Sequence, residues 1–213
     1  YQSYRHLFNV YMVNVVSEGG SRLGVSYGAG TSIAGNDGLC FQYASKALTP
    51  ERIENALVIT VVNSTQFGGS TYMYVPESGD WGNGKAVSYI PKVQKKMDFR
   101  GLIQHEACGH GFGKLADEYI YHSIFIQTCD CDCCSHVDEI NAFKKYGFYD
   151  NISLSGDIQS VPWSHMIYDP QYSNTVDVYE GAFFHTRGVF RSEPTSCMHN
   201  NIPYYNAISR EAM

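Results

Sequence analysis

The chain has 213 residues, of which 44% are hydrophobic and 17% charged, and its formal net charge at pH 7 is −6. This length and apolar content suffice for a hydrophobic core, so they exclude a disordered chain and favour one domain or two tightly joined lobes. The negative charge and the lack of lysine or arginine runs argue against nucleic acid or an anionic membrane as the partner. No apolar stretch approaches the ~20 residues of a membrane span, and no signal peptide is recognisable.

In chain order, the first half predicts strands and one short helix. β-Branched and aromatic residues indicate strands at residues 7–16, 57–62, 71–75 and 85–90. The run at 57–62 is continuously apolar, which is typical of a strand at the centre of a sheet. Thr49 and Pro50 predict the start of a helix that reaches about Ala56. The second half predicts few regular elements, with two helices at about 137–146 and 204–213.

The middle of the chain concentrates side chains suited to a metal site. Within fourteen positions lie His105, Glu106, His110, Asp117 and Glu118. A zinc ion that activates water needs about three nitrogen or oxygen ligands, an open position, and a nearby carboxylate to take a proton. The sequence therefore predicts a zinc site with His105 and His110 as ligands and Glu106 as the general base.

The two histidines are five residues apart, which does not suit a regular α-helix. Each residue of an α-helix turns roughly 100°, so a five-residue step overshoots one turn by about 140°. A π-bulge absorbs one extra residue, and glycine lowers the cost of the distortion. We therefore predict a π-bulge at residues 107–109, in a helix capped by Asp98. Two histidines can also fall by chance on a polar helix face, but three glycines between 109 and 113 would cost an ordinary helix about 1 kcal/mol each.

Residues 103–119, IQHEACGHGFGKLADEY, resemble the active-site segment of the immunoglobulin A peptidase family, bacterial zinc peptidases of the metzincin kind. The usual family form has a shorter histidine spacing before a Gly-Leu-Ala-Asp-Glu-Tyr tail, which this chain keeps with lysine in place of the glycine. The longer spacing is similar instead to that of dipeptidyl peptidase III. Further similar segments extend over almost the whole chain: FNVY at 8–11, VNS at 62–64, GG at 68–69, SCM at 196–198 and NAISREA at 206–212.

The resemblance implies an α+β, zincin- or metzincin-like fold. It would combine a mixed β-sheet and the active-site helix in an upper lobe (about 1–113) with an irregular lower lobe (about 114–213), and one Zn²⁺ would lie in the cleft between them. Asp117 would be the third ligand and Glu118 the competitor, although this acidic pair also fits a solvated helix end. Met198 matches the methionine turn beneath the metal, a role that overlaps with that of a core methionine.

Substrate contacts are predicted around this cleft. An extended peptide would lie along the strand at residues 85–89, because strand addition satisfies its backbone. Tyr204 and Tyr205 could donate a hydrogen bond to the oxyanion, although packing in the core or rim explains them as well. Arg187 could bind a substrate carboxylate or form a structural ion pair.

Four of the seven cysteines fall in one short segment beside His136: Cys129, Cys131, Cys133 and Cys134. In an exported protein, disulfides within this segment or to Cys40 or Cys197 are expected. The alternative is a second metal site, although one crowded loop wraps a tetrahedral ion poorly. The odd count leaves at least one free thiol, which we predict at Cys108.

These observations predict a secreted, periplasmic or cell-surface bacterial zinc endopeptidase that acts on protein or peptide substrates. Because the chain begins at Tyr1 rather than methionine, we expect a processed or truncated start, and the resemblance implies a preceding signal and N-terminal domain. Two alternatives remain. One is a peptidase-fold binding protein without activity, and the other is a zinc amidase that acts on a glycan or cell-wall amide.

Overall fold

The structure, a computed structural model, describes residues 6–15, 23–28, 30–92, 99–126 and 135–213. These ranges form a mixed α+β protein, as the sequence predicts at that level. The predicted helix cap at Asp98 and the cysteine-rich segment at 129–134 lie outside the described residues.

The first half contains two small sheets. The strands are β1 (Ser26–Tyr27), β2 (Ile33–Ala34), β3 (Leu57–Val62), β4 (Ser70–Met73) and β5 (Ala86–Pro91). β1 and β2 pair antiparallel, while β3, β4 and β5 form a sheet in the order β3-β5-β4. β5 runs parallel to β3 and antiparallel to β4, which confirms the predicted mixed sheet.

The central strand of this sheet is β5 and not β3, so the predicted position of residues 57–62 is wrong. Every residue of β5 is buried. β3 lies at an edge, and its Ile59 and Val61 are 42% and 56% exposed. The apolar run at β3 therefore does not reflect burial on both faces, because one face of this edge strand reaches the surface.

The strand predicted at 7–16 is also wrong over its described part, residues 7–15. These residues are exposed and pair with no strand in the described part of the chain. Phe8 contacts Phe112 edge-on, with ring centroids 5.1 Å apart. High β-propensity did not produce a strand here, since propensity reflects packing on a sheet and this segment has no sheet neighbour.

The helices of the first half position the central segment. α1 spans Asp37–Ala44, α2 spans Pro50–Ile53 and α3 spans Phe99–Leu102. α2 begins at the predicted proline but ends three residues before Ala56. A π-helix, Ile103–Phe112, continues directly from α3.

The second half has more regular structure than predicted. Its elements are β6 (Ile120–Phe125), α4 (Ser135–Lys144), β7 (Ile152–Ser153), α5 (Ser164–Ile167), β8 (Tyr179–Ala182), β9 (Phe184–Arg191), α6 (Cys197–Asn200) and α7 (Ala207–Ala212). β9 pairs with β6, β7 and β8. α4 and α7 confirm the two predicted helices, whereas β8 and β9 contain glycine and charged residues that weaken a strand pattern.

The π-helix is packed between the two halves. On one side, Ala107 belongs to a buried cluster with Ile90 of β5 and Leu102. On the other, Cys108 packs against a cluster that contains Met198 and Tyr205. Among the described helices, none has the length and apolar character needed to cross a bilayer.

Candidate metal centre

The π-helix brings the two histidines together. Its i→i+5 hydrogen bonding places residues five apart about one turn apart, so His105 and His110 share a face. Their ring centroids are 5.0 Å apart. The predicted π distortion at 107–109 is confirmed, and it extends over the whole of Ile103–Phe112.

Both imidazoles are held by backbone carbonyls through the same nitrogen. His105 Nδ1 lies 3.0 Å from the carbonyl oxygen of Cys197, and His110 Nδ1 lies 2.7 Å from that of Leu115. A carbonyl only accepts, so each Nδ1 carries the proton and each Nε2 of a neutral ring keeps its lone pair. This is the arrangement in which histidine binds a metal through Nε2 with its other nitrogen fixed.

Asp117 completes the cluster from the other side. Its Oδ1 lies 3.1 Å from His105 Nε2 and 3.3 Å from His110 Nε2. The chain returns to the histidines because Lys114 adopts a left-handed conformation, with φ of 53°. The possible ligand atoms of the three residues all lie within 4.8 Å of one another.

Two of the three separations between possible ligand atoms are compatible with a tetrahedral metal site. Ligand atoms about 2.0–2.1 Å from a tetrahedral zinc ion lie about 3.3–3.4 Å from each other. The two distances from Asp117 Oδ1 to the histidine nitrogens are close to that edge length. Two histidines and one carboxylate are also a ligand set that catalytic zinc sites use.

The electrostatics of the cluster favour added positive charge. Burial alone would raise the pKa of Asp117. The neighbouring His110 and His105 lower it by more than burial raises it, so the net pKa lies below the usual range. Burial lowers the pKa of each histidine, but Asp117 raises it, and both net values lie above the usual one. Ligation requires unprotonated Nε2 atoms, so a divalent cation would replace the protons that the carboxylate otherwise attracts.

Glu106 is fixed by β4 and the loop before it. Thr71 Oγ1 lies 2.9 Å from Glu106 Oε2 and 2.8 Å from Ser88 Oγ. A Cβ atom on Gly69 would stand 2.9 Å from Glu106 Cγ and Oε1, so only glycine leaves room for this rotamer. Oε2 is therefore held by a hydroxyl, while Oε1 accepts no hydrogen bond from the residues that the structure describes.

Glu118, the competing third ligand, lies outside the cluster. Its carboxylate is fully buried and accepts hydrogen bonds from the side chains of Asn151, Asn206 and Ser196. Burial raises the pKa of Glu118, and those hydrogen bonds lower it, with a net rise. These contacts connect the segment after the π-helix to Asn151 and to the N-cap residues of α6 and α7, which is a structural role.

Met198, the residue predicted for a methionine turn, packs against the π-helix at Gly109. Met198 is fully buried, and a Cβ atom on Gly109 would stand 2.4 Å from its Sδ. The preceding residue, Cys197, supplies the carbonyl that holds His105. Met198 also accepts a hydrogen bond from the backbone N–H of Glu118 at 2.8 Å. This turn therefore supports the cluster through its backbone as well as through the thioether.

Tyr119 also lies beside the cluster, although its sequence pattern did not indicate a role there. Its ring stacks on His105 at a centroid distance of 6.3 Å. Burial raises the pKa of Tyr119 and the negative charge of Asp117 raises it further, so its hydroxyl stays protonated beside that carboxylate. The only sequence signal was its position two residues after Asp117.

The tyrosines and the arginine predicted near the substrate have other contacts. Tyr204 donates to Glu193 Oε2 at 2.8 Å, and Tyr205 donates to the backbone carbonyl of Gln104. Tyr205 is buried, so packing explains it better than substrate binding. Arg187 is exposed on β9 opposite Phe125.

The strand predicted to bind the substrate, 85–89, is not available for strand addition. It forms most of β5, which pairs with a strand on each side and has no free edge. The edge next to Glu106 belongs to β4 instead. The sequence did not show this because edge position depends on pairing between distant segments.

The cysteines of the described ranges are unbridged. Cys40, Cys108 and Cys197 carry free thiols, which confirms the prediction for Cys108. The cysteines predicted to bridge to Cys40 or Cys197 lie outside the described residues, so disulfides or a second metal site in that segment stay predictions. Burial raises the pKa of the Cys108 thiol, which lowers its reactivity.

Comparison with models of known protein families and with curated proteins found no match to this chain. Function must therefore be inferred from the chemistry and geometry of the residues themselves.

Proposed function

We propose that this protein is a secreted or surface-attached zinc-dependent endopeptidase of the metzincin kind, related to the immunoglobulin A peptidase family. The observation that carries the proposal is the convergence of His105 Nε2 and His110 Nε2 on Asp117 Oδ1, with each Nδ1 held by a backbone carbonyl. These three residues would hold the ion. When bound, zinc supplies Lewis-acid chemistry that acidifies water and polarises a carbonyl.

Glu106 is the proton carrier of the proposed reaction. Its Oε2 is fixed by the Thr71 hydroxyl at 2.9 Å, which leaves Oε1 to accept a proton from the attacking water. The same oxygen then delivers the proton to the departing amine nitrogen as the peptide bond breaks. Glu106 is buried, so bulk water does not compete for this oxygen over most of its surface.

In the described part of the chain, β4 has no strand partner at its outer edge, and this edge supports a peptide substrate over another amide. An extended peptide can pair with the backbone of Ser70–Met73 and bring its own carbonyl groups past Glu106. Strand addition of this kind recognises any extended backbone, so side-chain pockets along the edge would set specificity. A glycan or cell-wall amide offers no continuous backbone for this ladder.

The test combines metal analysis with proteolysis. Purified protein should contain one zinc per chain and cleave an unfolded protein such as reduced, alkylated casein. Glu106→Gln should keep the zinc and lose at least about 100-fold in turnover, since general base catalysis contributes 10²–10⁴-fold. Glu77→Gln, which alters an exposed glutamate in the turn after β4, is the matched control and should retain full activity. Bound zinc without turnover, unchanged by Glu106→Gln, would instead identify a binding protein.

A further inference from the structure

A cleft of about 240 Å³ opens along the free edge of β4. Its lining residues come from β4 and the strand's continuation on one side and from the second half of the chain on the other: Thr71, Tyr72, Met73, Tyr74, Glu139, Phe143 and Tyr149. Glu139 and Phe143 are four residues apart on α4 and so share one helix face. The cleft is thus positioned to receive a side chain from a peptide that pairs with β4.

One residue that lines the cleft contacts a residue of the candidate metal centre. This lining residue, Thr71, contacts the Glu106 carboxylate at 2.9 Å. On the opposite wall, Tyr149 is close enough to Asp117 that this carboxylate contributes to the raised pKa of Tyr149, after burial and Glu139. A side chain in the cleft would therefore belong to a substrate residue close to the bond that is cut.

The chemistry of the cleft is aromatic with one acidic group. Tyr149 donates to Glu139 Oε1 at 3.1 Å, which fixes the carboxylate in place. Within the described ranges, no lysine, arginine or histidine forms an ion pair with Glu139. The neighbouring Lys144 is directed elsewhere, to the Tyr149 carbonyl at 2.9 Å and to Asp150 at 3.9 Å.

We propose that this cleft is the specificity pocket of the enzyme, that it takes a lysine or arginine side chain of the substrate, and that Glu139 selects that side chain. The inference rests on the proposed peptidase function. The aliphatic stem of a basic residue packs against Met73 and Phe143, and its cation meets the Glu139 carboxylate beside aromatic faces. An acidic side chain would be repelled, and an apolar one would cover the carboxylate without pairing it.

Peptide binding tests the pocket without requiring turnover. Labelled octapeptides of alanine and serine with one central lysine, norleucine or glutamate would be titrated against the zinc-supplemented Glu106→Gln protein by fluorescence polarisation. We expect lysine to bind roughly tenfold more tightly than norleucine, and glutamate to bind weakest. Adding Glu139→Gln, which keeps an acceptor for Tyr149, should remove the difference, whereas adding Asp138→Asn, a neighbouring exposed acid on α4, should not. Equal affinity for lysine and norleucine, or a preference that survives Glu139→Gln, would overturn the inference.

Cleavage of a peptide library by wild-type protein separates the two proposals. Cut sites with lysine or arginine enriched at one fixed position, and an enrichment lost in Glu139→Gln, would support both. Efficient cleavage with no basic preference would overturn the pocket and leave the peptidase function intact. Lysine-selective binding with no cleavage would support the pocket and overturn the peptidase function.

Discussion

Substitution of the two adjacent acids, Asp117 and Glu118, should give opposite results, because the structure separates their environments. Asp117 Oδ1 lies 3.1 Å and 3.3 Å from the two histidine Nε2 atoms. Asp117→Asn keeps the shape of the side chain and removes its charge. Loss of groups that merely orient metal ligands already costs 10–100-fold in affinity, so loss of a ligand charge should weaken zinc binding by more than about 100-fold.

Glu118→Gln should instead reduce stability. The Glu118 carboxylate accepts from Asn151 at 2.9 Å, from Asn206 at 2.9 Å and 3.2 Å, and from Ser196. Glutamine replaces one acceptor oxygen with a donor that faces those donors. Losing one or two hydrogen bonds to a charged group costs about 2–4 kcal/mol. For a chain of this length, that corresponds to a fall in Tm of about 4–16 °C.

Two measurements on each variant decide between the assignments. Zinc affinity would be measured by competition with a chromophoric chelator, and Tm by circular dichroism of the metal-free protein. Asp117→Asn should bind zinc poorly even where it is folded, and Glu118→Gln should melt early but bind one zinc per folded chain. A folded Glu118→Gln that has lost zinc, together with an Asp117→Asn that retains it within tenfold, would refute the assignment of Asp117.

Three further outcomes follow from the packing of the site. Gly69→Ala should place its Cβ 2.9 Å from Glu106 Oε1 and lower kcat on a peptide by roughly 10–100-fold at unchanged zinc content, and an unchanged kcat would contradict the role of Glu106. Gly109→Ala should press on the buried Met198 Sδ at 2.4 Å and cost about 1–3 kcal/mol in chemical denaturation, so a stability equal to wild type would argue against this close approach. Burial lowers the pKa of Lys114 to about 8, whereas its value in the unfolded chain is about 10.4. Between about pH 8 and 10 the unfolded chain therefore binds more protons than the folded one, so the free energy of unfolding should rise with pH in this range. Urea unfolding of the metal-free protein in EDTA should show that the free energy of unfolding of the wild type rises by up to about 3 kcal/mol more than that of Lys114→Met. If the free energies of the wild type and of Lys114→Met change with pH in parallel, the lowered pKa of Lys114 is excluded.

Local patterns predicted several of the elements and the three residues that the structure brings together in the cluster. The strands at 57–62 and 85–90 and the helix at 137–146 agree with β3, β5 and α4 to within two residues. The chemistry of His105 and His110 was visible because both residues belong to one short segment. In such a segment, spacing alone constrains which side chains share a face.

Contacts between distant segments were not predictable in the same way. The carbonyl of Cys197 that holds His105 is a backbone atom 92 residues away, and any residue type could supply it. Thr71 and Gly69, which fix Glu106, lie in a strand and a loop with no distinctive pattern. The prediction of strand order failed for the same reason. Leu57–Val62 is more apolar than β5, yet it forms the edge strand β3 while β5 is central.

The five-residue histidine spacing and the glycines at 109 and 111 both suit a π-helix that is packed between the two halves of the chain. In an α-helix, His110 would turn about 140° away from His105, so the two rings could not share Asp117. The π-helix restores their common face, and the same geometry directs Gly109 at Met198 and Gly111 at Leu57 of β3. A Cβ atom on either glycine would stand 2.4 Å from those neighbours. A larger residue at either position would force the side chain of Met198 or Leu57 to move, so glycine allows the close packing of a helix whose histidines face the carbonyls of Cys197 and Leu115.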